Sequence, residues 1–113
     1  MTQAQAMLLS MAVEAVVAYG VVAWRRWPGR GPASAAFGIA AATALTHPLL
    51  WPAALWLYDR AGFAAGAIVA ETAVVLAEAA IIAWIARLSP RHALVVSVLG
   101  NAASVAAGLW IGS

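Results

Sequence analysis

Cysteine and lysine are both missing from this chain, and acidic residues number only four: Glu14, Asp59, Glu71 and Glu78. Without cysteine there is no disulfide framework, no thiolate metal site, no thiol nucleophile and no covalent haem attachment. Charge of either sign is scarce, at 9% of 113 residues against about 25% in an ordinary soluble domain. Hydrophobic residues make up 65% of the chain, and its mean hydropathy is +0.93. A soluble fold of this size needs a polar coat, and there is too little polar material here to make one. Lipid surroundings remove that need.

The gaps between charges set the topology. No Asp, Glu, Lys or Arg occurs in the 28 residues from Gly31 to Tyr58, or in the 22 from His92 to Ser113. Both runs exceed the ~20 residues that a helix needs to cross a hydrocarbon core. Two further apolar stretches carry only Glu14, and only Glu71 and Glu78. The expected fold is an all-α integral membrane protein, a four-transmembrane-helix bundle with short loops. It forms one domain over residues 1–113, with spans near 6–24, 33–57, 62–86 and 91–112. Span one is expected to be retained, because a signal peptide wants a basic start and the chain begins Met-Thr-Gln-Ala-Gln.

All six basic residues are arginine. Arg25, Arg26 and Arg30 lie in the first connection and Arg87 and Arg91 in the third, against Arg60 alone in the second. Positive-inside bias therefore predicts a multi-pass protein of the cell (inner) membrane. Connections one and three would face the cytoplasm, and both termini the periplasmic or extracellular side. Trp24, Trp27 and Trp84 fall at the inner boundary, and Trp51, Trp56, Tyr58 and Trp110 near the outer one, which fits two aromatic belts. The pI near 10.0 comes from these anchors, and with no basic face for a phosphate backbone, nucleic acid is not an expected partner.

Breaks follow from local chemistry. Trp27-Pro28-Gly29-Arg30-Gly31-Pro32 cannot continue a helix, Asp59-Arg60-Ala61-Gly62 reads as a tight turn, and Ser89-Pro90 reads as an N-cap with its proline. The stretch Val13-Glu14-Ala15 in span one is similar to Ala77-Glu78-Ala79 in span three, each followed by an arginine-bearing turn. That similarity opens the option of two parallel two-helix repeats.

Polar residues at membrane depth carry the functional signal. An ionisable side chain there costs ~2.5–3.5 kcal/mol even on lenient insertion scales, so it normally faces the bundle or a cavity. Counting ~1.5 Å per residue puts Glu14, Glu71 and Asn101 each roughly 12–17 Å from the outer end, with His47 in the outer half. Glu78 lies seven residues beyond Glu71, on the same helix face and about 10 Å deeper. Thr43, Thr46, Ser97 and Ser104 are supporting polar groups near these residues. The expected site is centred on Glu71, with His47, Glu14 and Asn101 from the other spans and Glu78 extending it inward.

Carboxyls in a low-dielectric site suit proton exchange near neutral pH. The first expectation is therefore a small membrane protein that carries or binds a proton, a metal ion or a small solute. A divalent metal on His47 and Glu71 is the alternative ligand chemistry, although no contiguous motif such as H-E-x-x-H occurs. Two other classes stay open: an accessory or structural subunit of a larger membrane complex, and an intramembrane metal- or carboxylate-dependent enzyme. The expected partners are the lipid bilayer and either further copies of the chain or a membrane-complex partner, because four helices bury little by themselves. The length, the four spans and Glu14 in span one are similar in topology to small multidrug resistance transporters. Span three has no Trp before Trp84 and lacks that family's Gly-x-Gly pattern, so the chain is not assigned to it.

Overall fold

The computed structural model describes residues 2–112, so Met1 and Ser113, the two ends of the expected domain, lie outside the described residues. Four helices follow in order: α1 Gln3–Arg25, α2 Pro32–Ala61, α3 Phe63–Ala86 and α4 Pro90–Gly112. Their ends obey capping rules. Thr2 and Gln5 form a reciprocal capping box that satisfies two N–H groups at the start of α1. Ser89 Oγ accepts from the His92 N–H at 3.2 Å, and Pro90 opens α4, as Ser-Pro predicts. Pro32 does the same for α2.

One turn differs from expectation. Asp59, Arg60 and Ala61 remain helical, and the chain breaks only at Gly62, whose φ of +87° lies in a region that side chains rarely adopt. The α2–α3 connection is thus a single residue. Close approach makes it workable: a Cβ on Gly66 would sit 2.8 Å from the Tyr58 ring and 3.0 Å from the backbone of Leu57 and Tyr58. Pro48 and Pro52 lie inside α2 without ending it.

The helices close into a ring, with α1 packed against α2 and α4, and α3 packed against the same two. The helix pairs α1/α3 and α2/α4 therefore face each other across the bundle axis. Small and branched side chains fill the half nearest the arginine-bearing connections: Ala18, Val22, Ala35, Ile39, Ile82, Ala86, Ala93 and Val96 are all buried. The arginine connections are also tied together there, by an Arg30 N–H donating to the Ala86 carbonyl at 2.8 Å.

Outside, the bundle is apolar. Trp24, Phe63, Trp84 and Trp110 are more than 70% exposed, and leucines, valines and isoleucines cover much of the remaining surface. Each helix is long and apolar enough to cross a membrane, by length and composition. The molecule is 42 Å long, close to the ~40–45 Å of a bilayer with its headgroups.

Candidate functional site

One polar layer interrupts the apolar interior, and every helix contributes to it. Glu14 of α1, Thr43 of α2, Glu78 of α3 and Ser97 of α4 are each 4% exposed or less. Thr43 Oγ1 lies 2.9 Å from Glu14 Oε1 and 2.9 Å from Glu78 Oε2, so one hydroxyl links two carboxyls from facing helices. Asn101 Nδ2 donates to Glu78 Oε1 at 3.2 Å and to the Ser97 carbonyl at 2.8 Å. Ser97 Oγ donates to the Val75 carbonyl at 2.8 Å, which fixes α4 against α3 beside the glutamate. Towards the termini, the Ser10 and Ser104 hydroxyls meet at 2.7 Å.

Helical spacing explains how these groups come together. Ser10 and Glu14 are one turn apart, and the same stripe continues to the buried Ala18 and Val22. Thr43 continues towards Ile39 and Ala35, and Glu78 towards Ile82 and Ala86. On α4, Gly100 is the enabling residue. A Cβ there would sit 2.6 Å from Ile39 Cδ1 and 3.6 Å from the Glu14 side chain, so α4 passes directly over Glu14.

Proton counting gives the cluster its chemistry. A threonine hydroxyl has one hydrogen to donate. With two carboxyl oxygens at 2.9 Å, it can donate to one and must accept from the other, so both bonds require a protonated carboxyl. The arrangement Glu14–Thr43–Glu78 is complete with one proton shared between two glutamates. Glu14 Oε2 is buried and has no hydrogen-bond partner among the described residues, which leaves one acceptor unoccupied beside the pair.

A cavity of about 200 Å³ ends on this cluster. Its walls carry Glu14, Glu78, Glu71, His47, Asn101 and Thr46, together with Ser10, Thr43 and Ser104, and include no arginine. A second cavity of about 400 Å³ shares His47, Leu50 and Glu71 with the first and reaches Thr2, Gln3, Trp51 and Tyr58. The polar layer is therefore approached from the end bearing both termini. On the other side the buried Val22, Ile39, Ile82 and Val96 separate it from the arginine connections.

The expected centre of the site moves. The hydrogen bonds converge on Glu78, not Glu71: Glu71 is exposed at the cavity wall and makes no side-chain hydrogen bond among the described residues. Glu14 and Asn101 belong to the cluster, but through Glu78. His47 and Thr46 are half-buried and line the cavity without entering the network. Thr43, expected as a supporting group, is the bridge itself. Ser10 lies outside the expected set, although its position one turn before Glu14 places it on the same helix face. Among the described residues, no three of His, Asp and Glu are grouped to hold a metal ion, so His47 and Glu71 lack a third such ligand.

Comparison with protein-family models, curated protein sequences and solved structures gives no match. The site itself carries the functional argument.

Proposed function

We propose that this chain is a multi-pass membrane protein that acts as a small proton-linked carrier, with Glu14 and Glu78 as the proton-carrying pair. The observation that supports this most is the Thr43 bridge, which closes both of its bonds only when one glutamate holds a proton. A buried acid that gains or loses one proton at the end of a cavity is what a carrier needs to couple proton movement to solute binding. The solute complementary to this cavity is cationic, because three carboxyls line it and no arginine offsets them. Glu14 Oε2 is the free acceptor such a solute would take.

Alternating access gives the two halves of the bundle distinct roles. The polar cavity on the terminal side is the entrance, and the apolar half around Ile39 and Ile82 is the barrier that must open in the other state. With the arginine connections in the cytoplasm, the entrance faces outward.

Infrared difference spectroscopy of the purified protein in lipid tests the central claim. The wild type should show the carbonyl stretch of a protonated carboxyl, and both Glu14→Gln and Glu78→Gln should remove or shift it. The same variants in pyranine-loaded vesicles should lose pH-gradient-driven proton flux. A spectrum that lacks this band in the wild type, with flux unchanged in both variants, overturns the carrier reading.

A further inference from the structure

A third cavity lies at the opposite end of the molecule and takes no part in the carboxyl cluster. It encloses about 580 Å³ and is lined by Arg30, Ala83, Trp84, Ile85 and Arg87. We infer that this cavity binds the phosphate of an anionic phospholipid, held between the Arg30 and Arg87 guanidinium groups. The inference rests on the membrane reading of the four apolar helices and is independent of the proton-carrier assignment.

The two arginines arrive from segments far apart in sequence, and the backbone holds them together. The Arg30 N–H donates to the Ala86 carbonyl at 2.8 Å, pinning the first connection to the end of α3. Gly29 makes that approach fit, since a Cβ there would stand 2.7 Å from the Ala86 carbonyl oxygen. Arg87 caps α3 with φ 53° and ψ 39°, a left-handed conformation that favours glycine. The position nevertheless carries a guanidinium.

Charge at this end is uncompensated. Neither arginine connection contains an Asp or Glu, and no ion pair forms to Arg30 or Arg87 among the described residues. The C-terminus of α3 contributes about −0.5 charge at most, and one of its carbonyls is already taken by Arg30. Two guanidinium charges outweigh that, and their planar donor sets suit phosphate oxygens.

The rest of the lining selects a lipid over a soluble phosphate. Ala83, Trp84 and Ile85 form an apolar wall beside the two cations, as the root of an acyl chain requires. Trp84 is 81% exposed, and Trp24 on α1 is 77% exposed, so this end carries a ring belt of the kind found at headgroup depth. A free phosphate would use the arginines and leave that wall unused.

Native mass spectrometry of the full chain, released from mixed phosphatidylglycerol and phosphatidylcholine micelles, reads the site directly. The wild type should retain one phosphatidylglycerol in preference to phosphatidylcholine. Arg30→Gln and Arg87→Gln should each weaken that preference about fivefold. Arg25→Gln with Arg91→Gln removes the same two charges as Arg30→Gln with Arg87→Gln, but outside the cavity lining, and should leave the tightly held lipid in place. If this outer pair costs as much as the inner one, the attraction is diffuse and the site is refuted. Circular dichroism checks that the variants fold, and Arg87→Lys, which keeps the charge, should restore part of the preference. Excess inorganic phosphate should not displace the lipid, and displacement would transfer the cavity to a soluble phosphoryl ligand and overturn the assignment.

Discussion

A single hydroxyl hydrogen governs the interior of this protein. Thr43 stands between two carboxyl oxygens at equal distance, so in the proposed one-proton state its orientation follows the glutamate that holds the proton. Thr43→Val keeps the shape of the side chain and deletes the hydroxyl that, among the described residues, hydrogen-bonds to both acids. Leaving buried polar groups unsatisfied costs about 1–3 kcal/mol, so Thr43→Val should lower thermal stability in detergent by that order. Thr43→Ser should recover most of it. Equal melting temperatures for wild type and Thr43→Val would show that the hydroxyl does not hold the two acids together. Asn101 acts on one acid only, through Glu78 Oε1, so its loss should leave the bond to Glu14 intact.

At the level of helices, close contact depends on a few positions where a side chain would not fit. A Cβ added at Gly66 would meet the backbone of α2 at 3.0 Å, and that backbone cannot move aside as a side-chain tip can. Overpacking of this kind costs roughly 1–3 kcal/mol, so Gly66→Ala should lower the melting temperature measurably. A methyl group added at Gly108 would meet nothing within 4 Å, and Gly108→Ala should be neutral or slightly stabilising. The pair can be compared in one series of thermal unfolding experiments. A Gly66→Ala protein as stable as Gly108→Ala would show that α2 and α3 do not pack through the single-residue turn. The same reasoning applies at Gly100, but more gently, because Ile39 Cδ1 is the far end of a flexible side chain.

Over the whole molecule, charge and shape divide the bundle into two unlike ends. Five arginines lie in or next to the connections after α1 and α3, while the opposite end holds Asp59 and Arg60 in the last turn of α2. The positive-inside rule then predicts an active alkaline phosphatase fused at the C-terminus and a dark green fluorescent protein at the same place. The reverse pattern of fusion activities would invert the orientation and place the cavity mouth in the cytoplasm. Most of the apolar surface is outside, since the most apolar stretches of the four helices are only 17–28% buried. Lipid or further copies of the chain would cover it in the proposed membrane setting.

Helix number and order were legible in the residues, because each follows from local facts: apolar runs, Pro and Gly breaks, a Ser-Pro start and arginines that mark one end. Depth was legible only in part, because a constant rise per residue fixes spacing along one helix but not the offset of one helix against another. The depth count brought Glu14 and Asn101 to one level and also suggested Glu71 as their partner. Glu71 and Glu78 share one helix face, so the choice between them rested on that count, which placed Glu78 about 10 Å below the layer that it joins with Glu14 and Asn101. Packing made that choice. Gly100 lets α4 pass over Glu14, the ring order sets α1 opposite α3, and Thr43 then spans the gap to Glu78. The one-sided cavity is likewise a tertiary result, since the stripes through Glu14, Thr43 and Glu78 become a polar mouth and an apolar floor only once all four helices face the same axis.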